Sequence, residues 1–129
     1  MNINMMGTRP SLLVAACDDY LAGAFARRFT REGWEVVTVA SVKDAEHTAV
    51  QMRPSVLFLH TACVADPAAE VRRLRALPTM RSTRVVVLAD RAHMPAVNAA
   101  LAAGAADYLL VGHVIPAEAV EKMKRLLHA

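Results

Sequence analysis

An acidic pair, Asp18-Asp19, follows directly on an apolar run, and a histidine, His60, closes another. Adjacent carboxylates place two acidic groups at one point of the chain, where a site of the sheet would lie. An imidazole carries protons near neutrality and also binds softer metals. His60 and Cys63 stand in H-x-x-C spacing, a ligand-like pattern, and Cys17 precedes the acidic pair. Two further carboxylates lie nearby in the chain. Asp66 is followed by Pro67 and reads as a helix cap with proline at the first helical position, and Asp90 reads as a loop residue.

Several chemistries are excluded by what stands beside these residues. DDYLAG occupies the place where a GxGxxG or GxxxxGK[ST] phosphate loop would be, which argues against a nucleotide enzyme. There is no GxSxG elbow and no evident nucleophile–base pair, so an independent enzyme is not expected. The two cysteines make no disulfide framework. Net charge is only +3, and the groups Arg27, Arg28, Arg31 and Arg72, Arg73, Arg75 read as solvated helix faces rather than a nucleic-acid footprint. With 55% hydrophobic residues against 21% charged, the chain is not a disordered one. No apolar run approaches the roughly 20 residues that cross a bilayer, and MNINMMGTRP lacks a signal pattern. The expectation is a soluble, cytoplasmic protein.

The elements that must position these side chains alternate strictly. Residues 1–10 read as a leader and 11–129 as one domain. SLLVAAC (11–17) is a strand, and 18–33 a helix with Gly33 at its stop. WEVVTVA (34–40) is a second strand, whose Trp34 reads as packing. A second helix, 41–52, opens with Ser41 and Asp44 in capping-box spacing and is stopped by Arg53-Pro54. SVLFLH (55–60) is the third strand, 67–77 the third helix, RVVVLA (84–89) the fourth strand, 94–104 the fourth helix, ADYLLV (106–111) the fifth strand and 116–129 the fifth helix. Strands three and four are apolar without alternation, which predicts a parallel sheet covered on both faces. Five units are too few for an eight-stranded barrel. The expected fold is therefore an α/β, doubly wound sheet of order 2-1-3-4-5, with a site beyond the carboxyl ends of strands one and three.

LVAACDDY, PSVLFLH and ALAAGAADYLL together resemble the receiver domain of bacterial two-component response regulators, over about Ser11 to Leu127. The resemblance implies the flavodoxin-like (βα)5 receiver fold. It also implies roles, position by position. Asp18 and Asp19 match the acidic pair that holds Mg2+. His60 stands where the phospho-accepting aspartate would be. Ala89 replaces the hydroxyl residue that binds the phosphoryl group. Val111 and Gly112 replace the lysine and the cis proline after it, Val64 replaces a loop proline, and Tyr108 matches the switch aromatic.

Without carboxylate, hydroxyl and lysine, an acyl phosphate has no nucleophile and no charge compensation. The expectation is an atypical, pseudo-receiver domain that signals by phosphorylation-independent protein–protein contact. Mg2+ binding is expected to be weak or absent, with no other cofactor, and phosphotransfer from a histidine kinase is not expected. The expected surface is the face of helix four, strand five and helix five, with Ala96, Ala99, Ala100, Ala103, Tyr108, Ala119, Met123 and Leu127, serving a protein partner or a homodimer. Nucleic acid enters only if the chain belongs to a longer regulator. Two alternatives stay open: a phosphorelay receiver with a displaced acceptor, and a small-ligand or metal sensor in the Asp18/Asp19/His60 crevice. His60 itself reads as a partner of Asp18 or Asp19 with its pKa raised, as a pH sensor, as a soft-metal ligand with Cys17, Cys63 and the aspartates, or as a phosphorylated histidine. Cys17 is expected to face the core, which weakens the soft-metal reading.

Overall fold

The structure, a computed structural model, describes residues 9–90 and 93–128. The greater part of the proposed leader, 1–8, lies outside the described residues. Strands β1 (Ser11–Ala15), β2 (Glu35–Val39), β3 (Val56–His60), β4 (Arg84–Ala89) and β5 (Asp107–Leu110) alternate with helices α1 (Asp19–Arg31), α2 (Val42–Met52), α3 (Pro67–Ala76), α4 (Met94–Ala102) and α5 (Pro116–Leu127). All strand pairs are parallel, in order β2-β1-β3-β4-β5. The expected doubly wound sheet is what the chain forms.

Side chains alternate between the two sheet faces because the strand period is two. Leu12, Val14, Val56, Phe58, Val86 and Leu88 point to the face covered by α1 and α5, where Phe25, Phe29, Val120 and Met123 meet them. Leu13, Leu57, Leu59, Val85 and Val87 point to the other face and meet α2, α3 and α4 through Ala45, Ala49, Val71, Leu74 and Val97. β3 is buried along its whole length, which is why its sequence runs apolar without alternation. β2 lies at the edge and is mostly exposed. Phe58 anchors the first face, edge-on to Phe25 at 5.2 Å and to Phe29 at 5.7 Å. Trp34 is buried against Phe29, 4.9 Å between ring centres, so it packs as expected.

The helix ends follow local chemistry. Ser41 Oγ accepts from the Asp44 N–H, and Asp66 Oδ1 from the Ala69 N–H. Arg53, in the left-handed region at φ 49°, ends α2 before Pro54. Between α2 and α3, Arg73 Nη2 donates to Glu46 Oε1 at 3.3 Å, and its Nε lies 3.8 Å from Glu70 Oε1. Glu70 is buried, and desolvation together with the neighbouring Glu46 pushes its carboxyl up to about 7.

Candidate functional site

The register brings the candidate residues together. Ala15 of β1 pairs with Leu59 of β3, so the chain beyond β1 and the end of β3 leave the sheet side by side. His60 closes β3, pairs in register with Leu88 of β4 and is buried. A helical turn, Thr61–Cys63, follows at once and carries Cys63 back over His60. Ala89 ends β4 and is fully buried, with no polar atom to offer beyond its backbone. After β5, Val111 donates its N–H to the Ala89 carbonyl, and Gly112 turns the chain at φ 87°. Val64 follows the turn and packs against the second face, as does Tyr108 of β5.

Asp18 is in the N-cap position of α1: its Oδ1 accepts from the Leu21 N–H at 3.1 Å. The helix was expected to begin at residue 18, and the shift is physical, because an aspartate held before a helix satisfies one of its free N–H groups. Asp19 is the first helical residue and is exposed. Asp90, just past β4, lies 3.9 Å from His93 Nδ1, and His93 Nδ1 in turn lies 3.5 Å from Thr61 Oγ1.

His60 departs from expectation. Among the described residues, no hydrogen bond or ion pair joins it to Asp18 or Asp19; its side chain meets Cys63, with Sγ 3.9 Å from His60 Nδ1. Its pKa is lowered, not raised: desolvation by burial outweighs the pull of Asp90 and Asp18, and His93 adds to the lowering.

The cysteines depart further. Cys17 is exposed rather than turned into the core, because β1 ends at Ala15 and the alternation no longer applies two residues on. Cys17 and Cys63 form a disulfide, their Cα atoms 5.7 Å apart. The Cys17 N–H also donates to Cys63 Sγ at 2.7 Å. The sequence signal was present but indirect: one cysteine directly after β1 and the other three residues beyond β3, on neighbouring parallel strands.

The proposed contact face is corrected in part. Ala100, Ala119 and Met123 are buried in the core and belong to no surface. Ala96, Ala103, Tyr108 and Leu127 are half-buried and Ala99 is exposed. Four exposed apolar residues were missed by sequence: Tyr20 in the first turn of α1, 83% exposed, Ile115 before α5, 59% exposed, and less strongly Val37 of β2 and Val50 of α2. Among the described residues, no helix is long and apolar enough to cross a membrane.

No family model matches the chain, and no curated protein matches it. Solved structures do. A chain described as a response regulator from Chloroflexus aurantiacus J-10-fl superposes with a TM-score of 0.83 at 25% identity, covering 94% of this chain and 99% of that one. The receiver domain of a sensor histidine kinase from Pseudomonas aeruginosa PAO1, with magnesium coordinated in its active-site cleft, gives 0.81 at 20% identity, covering 94% and 99%. The chemotaxis response regulator CheY4 of Vibrio cholerae gives 0.82 at 18% identity, covering 93% and 100%. Element order, strand order and these superpositions agree: the chain has the five-stranded parallel fold of response regulator receiver domains.

Proposed function

We propose that the chain is an atypical receiver-type signalling domain that acts by contact with a protein partner and not by aspartyl phosphorylation. The observation that carries this reading is the buried imidazole of His60 at the end of β3, with Ala89 beside it at the end of β4. Acyl-phosphate formation needs a carboxylate nucleophile there, and donors that compensate the charge of the phosphoryl oxygens. An imidazole and a methyl group supply neither, and Val111-Gly112 brings no cation.

The donor set also argues against Mg2+. That ion takes near-octahedral oxygen ligands. Asp18 Oδ1 is engaged in capping α1, Asp19 is exposed on the first turn of that helix, and the donors gathered at the end of β3 are an imidazole and two sulfurs. We therefore read Mg2+ binding as weak, phosphotransfer from a histidine kinase as not supported, and the domain as a non-enzyme. A ligand moves a conformational equilibrium only through contacts that differ between states, and the contacts a phosphoryl group would make are the ones lacking.

What remains is surface. The partner face we propose is made by α4, β5 and α5, with the exposed Ala99 and the half-buried Ala96, Ala103, Tyr108 and Leu127, for a protein partner or a second copy. The test is backbone NMR of the chain titrated with Mg2+ and then beryllofluoride. Resonances near Asp18, Asp19, His60 and Tyr108 should stay still. If they shift together and saturate, the switch is intact, and the acceptor is another carboxylate, with Asp90 and Asp66 the first to replace.

A further inference from the structure

Three donors of soft character converge just beyond the carboxyl ends of β1 and β3. Cys17 Sγ, Cys63 Sγ and a ring nitrogen of His60 all lie within 4.8 Å of one another. The backbone brings them there. Ala15 and Leu59 are register partners, so residue 16 comes level with His60 and Cys17 lies one residue further along, next to the end of β3. The turn Thr61–Cys63 then sets Cys63 beside His60, with Sγ facing Nδ1 at 3.9 Å. The Cys17 N–H pointing at Cys63 Sγ is a contact that a metal-bound thiolate also accepts, and such outer contacts hold ligands in place.

We infer that, once the Cys17–Cys63 disulfide is reduced, Cys17, His60 and Cys63 bind one thiophilic cation, Zn2+ before others. Two thiolates and an imidazole are the donor set of a tetrahedral zinc site with one position left for water. Cys17 is exposed, so that fourth position faces solvent. A hard ion such as Mg2+ is poorly served by sulfur, whereas Zn2+ and Cu+ are well served. The two sulfurs have no part in a phosphoryl switch, so the site stands whether or not that switch is lost, with His60 as its third donor.

A dithiol reductant gives two electrons and two protons to the Cys17–Cys63 bond and closes as its own disulfide, leaving two thiols on the protein. Zn2+ then displaces those two protons into solvent as it forms two Zn–S bonds, and His60 contributes a ring-nitrogen lone pair. The sulfurs part from bonding contact to about 3.8 Å, the edge of a tetrahedron with Zn–S bonds of about 2.3 Å. Disulfide and metal are therefore alternative occupants of one site. Hydrogen peroxide, taking two electrons from the two thiolates and leaving as two hydroxide ions, re-forms the disulfide and releases the cation.

The experiment uses the full chain, reduced with a dithiol, freed of reductant without air and titrated with Co2+, a spectroscopic stand-in for Zn2+. One equivalent should bind, with sulfur-to-cobalt charge transfer and tetrahedral ligand-field bands that Zn2+ then bleaches. The oxidised chain should give neither. Cys17→Ser, Cys63→Ser and His60→Asn should each weaken binding by more than the roughly 10–100-fold that loss of an outer partner costs. Should those variants fail to fold, the native reduced chain still decides: equimolar Zn2+ must protect two thiols from alkylation, counted by mass. The inference is overturned if the reduced chain takes up no stoichiometric Co2+, if binding lacks the sulfur band, if Zn2+ protects neither thiol, or if His60→Asn binds as tightly as the native chain.

Discussion

Two buried titratable residues, His60 and Glu70, pull the pH dependence of stability in opposite directions. His60 has its pKa lowered by burial. In the unfolded chain it takes up a proton as pH falls below 6.5, while the folded form resists, so its contribution to stability falls there. Glu70 behaves the other way. Its carboxyl, ordinarily at 4.5, stays protonated up to about 7 in the folded chain, so its contribution is full at low pH and is lost as pH rises between those values. Glu70 Oε2 is buried without a hydrogen-bond partner, a place where an ionised oxygen is costly, while Arg73 Nη2 lies 3.2 Å from Glu46 Oε2. Glu70→Gln should remove up to about 1.4 kcal/mol per pH unit of downward slope across that window, read from urea midpoints at stepped pH. An unchanged slope would mean that Glu70 ionises normally. In the same samples the His60 ring resonances should titrate below 6.5. The type and place of His60 were legible in the sequence, because a histidine ending an apolar strand run must sit at the sheet edge. Its electrostatics were not, since the balance between desolvation and Asp18 or Asp90 depends on distances that spacing does not give.

At the scale of elements, runs of apolar residues and punctuation by caps carried most of the reading. β3 and β4 were found because strands buried on both faces read as unbroken apolar runs. α2 and α3 began where Ser41 and Asp66 stand, and both residues cap as their types suggest. Reading failed where one residue type serves two ends. Asp18, matched to an acidic pair by resemblance, also caps α1, a second use that was not read. Alanine fills both core and surface of α4 and α5, so Ala100, Ala119 and Met123 were assigned to the wrong side. Their spacing held the correction: Ala100 is three residues from the buried Val97, and Met123 four from Ala119, a core stripe at helical period. β3 packs on α1 through Phe58, edge-on to both Phe25 and Phe29. Phe58→Ala should cost about 3–5 kcal/mol, measured by denaturant unfolding. A cost near that of an exposed substitution would mean that Phe25 and Phe29 close over the gap.

For the whole molecule, strand order decides what meets what. Alternation of strands and helices gave the sheet, and the reversal between β1 and β3 gave the place of the crevice. The bond across that reversal was not read, because joining Cys17 to Cys63 requires both the order and the exact end of β1. Their separation of 46 residues makes the closed loop long. Reduction should then lower stability by about 2–4 kcal/mol, visible as a shift in urea midpoint that a Cys17→Ser, Cys63→Ser double variant does not show. Equal midpoints before and after reduction would mean that the loop adds nothing to the unfolded chain's cost. The same loop encloses α1, β2, α2 and β3. A single proteolytic cut within it, for example after the exposed Arg31, leaves two pieces that stay covalently joined with β1 beside β3. Only reduction sets them apart. Over that stretch, whether the protein is one polymer or two fragments is decided by the sulfur chemistry of one bond and not by the continuity of its backbone.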